Sequence, residues 1–225
     1  MERTRGGSLA SDSRDNSGAA KRARILQAAL QVGELRGVDG ARMEEVASLA
    51  QVSKGTLYRF FESKHDLFLA TIIESYEEGL RIVDTAVDPD SHWQQRLGGR
   101  LAALARVLES LGPRMSLHFQ AWGVVAGEPG SQERLYGFLR DFHSARGLEI
   151  AEDIREGQRA GEFRADADAG RLAEGIIAML SGFLYRATFD PDAATSGHLD
   201  EAFSTFVRGL ASDPAPSEPA SGGDG

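Results

Sequence analysis

Residues 21–66 read KRARILQAALQVGELRGVDGARMEEVASLAQVSKGTLYRFFESKHD, and this stretch decides how the amino-terminal part folds. Its apolar residues recur at helical spacing, which predicts a first helix at about 20–36 and two short helices at about 43–50 and 54–60. The last of these, SKGTLYRFF, is polar and basic on one side and aromatic on the other. Such a helix can enter the major groove of DNA while its aromatic side anchors it to a small core.

The two short helices and the turn between them have the features of a helix-turn-helix. Ala47 and Ala50 allow the helices to cross closely, and Val52 carries the turn into the core. Ser53 is expected to cap the following helix, whose first turn then faces outward. The residues predicted to meet DNA are Arg42, Ser53, Lys54, Gly55, Thr56, Tyr58, Arg59 and Lys64.

These residues are expected to divide between phosphate contact and base recognition. Tyr58 and Arg59 can reach phosphate through hydroxyl and guanidinium groups, and Lys64 is placed for a flanking phosphate. Thr56 is the candidate for reading a base edge, and Gly55 keeps the surface open. The plainer alternatives are a core aromatic for the tyrosine and solvated surface charges for the lysines.

The string VSKGTLYRFFESK at 52–64 resembles the TetR family of bacterial transcriptional regulators. The resemblance covers residues 21–68, and EGQRAGEFRADAD at 156–168 is also similar to the family. It implies an all-α homodimer, with an amino-terminal helix-turn-helix domain and a larger carboxy-terminal domain that holds a ligand pocket and the dimer interface. Such regulators are usually repressors, released from a palindromic operator in double-stranded DNA by a small-molecule effector.

Three positions depart from the family pattern. Gln51 stands where the turn usually has glycine, and a left-handed glutamine there would cost on the order of 1 kcal/mol. Gly33 replaces a bulky aromatic of the first helix, which leaves a smaller core that Phe60 or Phe68 could fill. Arg42 replaces the usual Thr or Ser before the second helix, which weakens the cap but adds a positive charge.

Beyond the helix-turn-helix, the periodicity stays helical as far as residue 210. Ser63 and Asp66 resemble a capping box at the start of a fourth helix. Further helices are expected at about 93–111, 114–126, 131–160, 167–188 and 196–210, with Gly161 ending the longest. The expected domains are a disordered arm (1–19), a DNA-binding domain (20–66), a helical effector-binding and dimerisation domain (67–211) and a disordered tail (212–225).

Two sets of largely apolar residues are candidate binding surfaces in the larger domain. The first lies on helices that enclose the cavity in the family, and is expected to line a pocket for a largely apolar effector: Leu104, Met115, His118, Phe119, Trp122, Phe138 and Phe142. The second is expected to form a dimer interface: Leu172, Ile176, Leu180, Phe183, Leu199, Phe203, Phe206 and Leu210. Plain core is the alternative for both sets.

Composition and charge narrow the function. The net charge of the whole chain is −9, yet residues 1–66 are mildly basic, with 11 Lys/Arg against 9 Asp/Glu. This distribution suits a protein in which only the amino-terminal DNA-binding domain contacts phosphate. Without cysteine, and with five histidines at no ligand-like spacing, no metal or cofactor is expected. The longest nearly apolar run, 175–185, is far shorter than the roughly 20 residues of a membrane helix, so a cytoplasmic protein is expected.

The function that fits best is a ligand-responsive transcriptional repressor. An activator or a ligand-independent DNA-binding regulator remains the alternative. A helical enzyme is a remote one, because the sequence has no phosphate loop, dinucleotide fingerprint or nucleophile elbow. Acidic neighbours such as Glu44 and Glu45 point to different sides of a helix and are expected to be solvated.

Overall fold

A computed structural model describes the backbone of residues 8–187, 189–190 and 196–212, and their side chains except those of 8–17, Pro113 and Ser196. Within these ranges the chain is all-α, as the sequence predicts, and a single isolated bridge pairs Phe163 with Ala211. The described residues form nine helices: α1 (Ser8–Gly40), α2 (Met43–Leu49), α3 (Lys54–Phe60), α4 (Lys64–Ala86), α5 (Trp93–Leu111), α6 (Met115–Ala126), α7 (Pro129–Arg159), α8 (Ala169–Ala187) and α9 (Ser196–Leu210). A short 3₁₀ turn, Gly112–Arg114, precedes α6.

Helix α1 begins well before the position that the sequence predicted. It starts at Ser8, so residues 8–19 of the expected disordered arm are helical, whereas residues 1–7 lie outside the described part. Extending an existing helix costs far less than nucleating one, and Ala19 and Ala20 favour extension. The expected tail at 213–225 also lies outside the described residues.

The chain forms two compact units. The first unit comprises residues up to Gly79 together with Pro113–Asp141, and the second comprises Leu80–Gly112 together with residues from Phe142 onward. The domain boundary expected at 66 and 67 therefore falls inside the first unit. Its core contains Leu67 and Phe68 of α4 beside Leu57 of α3, all of them fully buried.

Helix α6 belongs to the first unit because it packs closely on α1. A methyl group added to Gly33 would lie 2.8 Å from Leu117 Cδ1 and 3.2 Å from Phe68 Cε1. The space that a bulky aromatic would take in α1 is thus filled by Leu117 and Phe68, whereas Phe60 is half-exposed. A small residue at 33 is what lets the two helices approach this closely.

The helix ends follow local capping signals. Ser63 Oγ accepts a hydrogen bond from Asp66 N at 3.1 Å, which is the first bond of a capping box. The Asp66 carboxylate reaches back one residue further than in the standard box and accepts a hydrogen bond from Glu62 N at 3.2 Å. After α7, Gly161 adopts φ +78, the left-handed conformation that commonly ends a helix. The capping residue before α4 and the glycine after α7 are thus the predicted ones.

The second unit is built around α5, α7, α8 and α9. Leu97 and Leu101 of α5 and Ile150 and Ile154 of α7 are fully buried. Beside them Arg100 Nε donates a 2.6 Å hydrogen bond to Asp153 Oδ2, so the buried charges are paired.

The end of α9 is held by short backbone pairing. Arg164 N donates to Leu210 O at 3.0 Å, and Ser212 N donates to Glu162 O at 2.9 Å. These bonds flank the bridge between Phe163 and Ala211 and fix α9 against the α7–α8 connection.

Candidate nucleic-acid interface

Helix α2 positions the first side of the candidate interface. Met43, Val46 and Ala47 are buried, which fixes the helix in the core of the first unit. Arg42 precedes the helix with an extended backbone and makes no side-chain capping bond. The weak cap expected from the absence of Ser or Thr is confirmed, and the arginine side chain is left exposed.

The turn between α2 and α3 carries a strained residue. Gln51 has φ 55, so the left-handed conformation that the sequence raised as a possibility is present. Val52 N donates to Ala47 O at 3.0 Å, which closes the turn after α2. A glutamine in this conformation costs on the order of 1 kcal/mol relative to glycine.

Ser53 caps α3 as predicted. Its Oγ accepts a hydrogen bond from Thr56 N at 3.1 Å and lies 2.9 Å from Thr56 Oγ1. Leu57 and Phe61 face the core, and Lys54 and Gly55 are exposed. The cap therefore presents a polar first turn to solvent. Leu57, on the opposite side of α3, packs into the core and holds the helix in place.

The aromatic and basic residues of α3 lie at the surface. Tyr58 is 42% exposed, so it is not a core aromatic of the first unit. Lys54 Nζ lies 5.8 Å from the centre of its ring, and the Arg59 guanidinium lies 5.7 Å from the ring centre of Phe60. These contacts leave the tyrosine hydroxyl and the cations near the outer surface, where phosphate could reach them.

Lys54 is paired with Glu44, which the sequence predicts to be a solvated charge. Its Nζ hydrogen-bonds to the Glu44 carboxylate at the start of α2. That hydrogen bond lowers the pKa of Glu44 and raises the pKa of Lys54. No local signal reveals the pair, because the two residues are ten positions apart and meet only through the turn.

Lys64 does not point away from the protein. Its Nζ donates to the backbone oxygens of Val38 at 3.0 Å and Asp39 at 2.9 Å, at the end of α1. Seven of the eight predicted residues therefore lie on or directly beside α2 and α3, whereas Lys64, at the start of α4, is engaged with α1.

The candidate effector residues divide between the two units. Met115, His118, Phe119, Trp122 and Phe138 belong to the first unit, and Leu104 and Phe142 to the second. The Phe119 and Trp122 rings lie 5.2 Å apart, and the Trp122 indole nitrogen is buried without a hydrogen-bond partner in the described residues. A buried, unpaired N–H is unusual and is the kind of group that a bound acceptor would satisfy.

His118 is buried in the first unit and faces a very small cavity. Its Nδ1 lies 3.0 Å from Arg114 O, and burial lowers the pKa of the imidazole. The cavity has a volume of about 10 Å³, room for roughly one water molecule. Its walls come from α1, α4 and α6: Leu30, Phe68, Thr71, Ile72, Leu117, His118 and Ala121.

The candidate dimer residues fall into two groups. Ile176, Leu180, Leu199, Phe203 and Leu210 are buried within the second unit, whereas Leu172, Phe183 and Phe206 are half-exposed. Between α8 and α9 lies an open groove of about 480 Å³, lined by Arg164, Ala167, Leu172, Met179, Ala202, Thr205, Phe206, Gly209 and Leu210. Met179, which is not among the predicted dimer residues, is 38% exposed there.

The described residues contain no cluster of three or more His, Asp or Glu side chains arranged to hold a metal ion. Among the same residues, no helix is both long and apolar enough to cross a membrane.

A capped, exposed first turn on the second of two short crossed helices defines a helix-turn-helix DNA-binding protein. Residues 25–71 match the sequence profile of bacterial regulatory proteins of the tetR family, and residues 94–212 match that of the carboxy-terminal part of BetI-type transcriptional repressors. The chain belongs to the TetR family of bacterial transcriptional regulators, and it is a regulator and not an enzyme.

Individual relatives agree with this assignment. The chain is 29% identical over 178 residues to the transcriptional regulator AcuR of Cereibacter sphaeroides, covering 74% of this chain and 75% of that protein. It is 30% identical over 162 residues to the transcriptional repressor SCO4008 of Streptomyces coelicolor, covering 71% and 76%. A crystal structure of a Saccharomonospora viridis transcriptional regulator in complex with choline has the same fold, with TM-score 0.65, 22% identity and coverage of 85% and 98%.

Proposed function

We propose that this protein is a cytoplasmic homodimeric repressor that binds a palindromic operator and leaves it when a small-molecule effector binds. The observation that carries the proposal is the attachment of α6 to α1 of the DNA-binding head, which consists of α1, α2 and α3. Helix α6 holds the Trp122 indole nitrogen, which has no hydrogen-bond partner in the described part of the chain. An effector that moves α6 would therefore act on the head directly.

Three contacts join α6 and the turn before it to α1. Arg114 Nε donates to Glu34 Oε1 at 3.1 Å, Leu117 packs on Gly33, and Gln120 Oε1 accepts a hydrogen bond from Val38 N at 3.2 Å. The last contact lies at the kink of α1, where Gly37 has φ 69. Because both hydrogen bonds are directional, a shift of α6 would tilt the end of α1 and with it α2 and α3.

The dimer is supported by the outer sides of α8 and α9. The exposed positions there include five small or apolar residues among charged ones: Gly175, Ala178, Met179, Ala202 and Gly209. Small side chains let a second helix approach closely, and a half-exposed Phe206 offers apolar area in the groove. We therefore propose that the interface lies on this outer side. The buried members of the predicted dimer set then pack beneath it and hold α8 and α9 in position.

The operator is tested by footprinting purified protein on DNA upstream of its own and neighbouring genes. A palindromic footprint with half-sites about one helical turn apart is expected. Tyr58→Phe should weaken binding to all sequences alike, whereas Thr56→Ala should change the preference among sequences. If both variants behave like the wild type, α3 is not the reading helix.

The effector is tested with a panel of largely apolar compounds together with choline, which the Saccharomonospora viridis regulator binds in its crystal structure. The Trp93→Phe variant leaves Trp122 as the sole tryptophan, so a bound acceptor should change its fluorescence and weaken operator binding together. Operator affinity that no compound changes would remove the effector from the proposal. Gene deletion should raise expression of the target, and a fall would instead identify an activator.

The dimer is tested by the mass of the protein in solution. Met179→Glu places a charge on the outer side of α8 and should yield monomers that bind the operator weakly. Ile82→Glu changes a comparably exposed apolar residue of α4 and should leave the dimer intact. A wild-type protein that is monomeric at micromolar concentration would contradict this part of the proposal.

A further inference from the structure

We propose that Glu44 is a specificity-determining residue of the DNA interface, because its carboxylate competes with DNA phosphate for Lys54. The inference rests on the proposed binding of an operator by α2 and α3. Glu44 would lower affinity for DNA of arbitrary sequence more than affinity for the operator. It acts by negative charge, and no stabilising role in the fold is needed.

The position of the pair supports this role. Glu44 lies in the first turn of α2 and Lys54 opens α3, so their bond spans the two helices that face DNA. Both side chains lie on the outer surface, 61% and 58% exposed. Lys64 is engaged with the backbone oxygens of Val38 and Asp39, which leaves Lys54 as the lysine that can reach a phosphate from the start of α3. Glu44 neutralises the charge of Lys54 as long as the two side chains stay paired.

DNA binding must break this pair or bring a carboxylate close to the phosphates. A lysine that moves to a phosphate releases a counterion and gains affinity, but here it also leaves Glu44 unpaired beside a polyanion. The loss is offset only where a base presents an amino group, and the cytosine N4 amino group in the major groove is the usual partner of Glu. A DNA sequence that places a cytosine amino group beside Glu44 keeps its affinity for the protein, whereas other DNA sequences lose affinity.

A structural role does not account for the pair. Exposed ion pairs contribute little to stability. Glu45 already supplies an acidic side chain to the first turn of α2, and its carboxylate lies 3.6 Å from Arg36 Nε, away from α3. Glu45→Gln is therefore a matched control, with the same change of charge one residue away.

The experiment compares Glu44→Gln, Glu45→Gln and wild-type full-length protein on a pool of random-sequence duplexes of about 30 base pairs, long enough for two half-sites. The wild type also selects its preferred site from this pool. Glu44→Gln should bind the pool about eightfold more tightly at 0.1 M salt for each DNA-binding head, with a salt slope steeper by about one. Its affinity for the selected site should rise less, and preference should relax at one position in each half-site.

The outcomes separate this inference from the proposed function. Glu45→Gln and a charge-preserving Glu44→Asp variant should both keep the weak wild-type binding to the pool. Equal pool affinity and equal salt slope for Glu44→Gln and wild type would overturn the role of Glu44. If the wild type selects no sequence from the pool, the proposed function itself fails, whatever the variants do. Thermal unfolding verifies that each variant is folded.

Discussion

The ammonium group of Lys64 lies 2.9 Å from the backbone oxygen of Asp39, at the end of the helix that precedes the helix-turn-helix. A second bond to Val38 O, at 3.0 Å, places the charge at the carboxy-terminal end of α1. Lysine at such an end satisfies carbonyl groups that have no partner within the helix. Lys64 therefore joins the start of α4 to α1, and DNA contact would use whatever donor capacity remains.

Lys64→Met is expected to destabilise the protein. The change keeps the aliphatic stem but removes two hydrogen bonds to the end of α1, and it should lower the free energy of unfolding by about 1–2 kcal/mol. Urea unfolding monitored by circular dichroism measures this. Lys21→Met, which changes a lysine elsewhere in the same unit, is the control. Unchanged stability in Lys64→Met would mean that the lysine serves DNA alone.

Gln51→Gly is expected to stabilise the DNA-binding head. Glycine adopts φ 55 without the clash of a side chain, so the free energy of unfolding should rise by about 1 kcal/mol. Gln51→Ala keeps the β-carbon and should show no such gain. The comparison is made by urea unfolding of the two variants beside the wild type. An equal effect of both would show that the turn, and not the left-handed residue, limits stability.

Two glycines of α7 should respond in opposite directions to alanine. A β-carbon at Gly157 would overlap the ring of the fully buried Phe163, so Gly157→Ala should cost roughly 1–3 kcal/mol through overpacking. Apart from its chain neighbours and its own helix backbone, no described atom would lie within 4 Å of a β-carbon at Gly137, so Gly137→Ala should gain about 1 kcal/mol from helix propensity. Thermal unfolding of the two variants tests both signs, and destabilisation by both would contradict the packing at Phe163.

The stability of the fold should fall in mild acid because of His118. Burial lowers the pKa of this imidazole in the folded protein below its ordinary 6.5, so the unfolded chain takes up the proton first as the pH falls. The contribution of the neutral His118 imidazole to the free energy of unfolding is therefore complete above about pH 6.5, and it is lost as the pH falls toward the folded-state pKa.

The measurement is the free energy of unfolding between about pH 7.5 and 5. His118→Gln should flatten its decline, and His143→Gln should do so as well, because burial also lowers the pKa of His143. His198→Gln changes an exposed imidazole and serves as the control. An equally steep decline in His118→Gln and wild type would show that other groups govern the acid response.

The positions of the helices and the reading turn could be predicted from local sequence. Periodic apolar residues, the Ser53 cap, the Ser63–Asp66 box and Gly161 act over three to five residues, so they work before any distant contact forms. Helix α1 was the exception at its start, since a helix can extend through weak formers once it is nucleated.

Contacts between side chains that are distant in sequence depend on the tertiary fold. Glu44 pairs with Lys54, Lys64 reaches Asp39, and α6 joins the head through Gly33 and Leu117, residues 84 positions apart. The tertiary fold also decides that Ile176 of α8 is buried while Met179 is exposed. Periodicity along one helix reports that an apolar side exists, but which part of that side is covered depends on neighbours brought in from distant sequence.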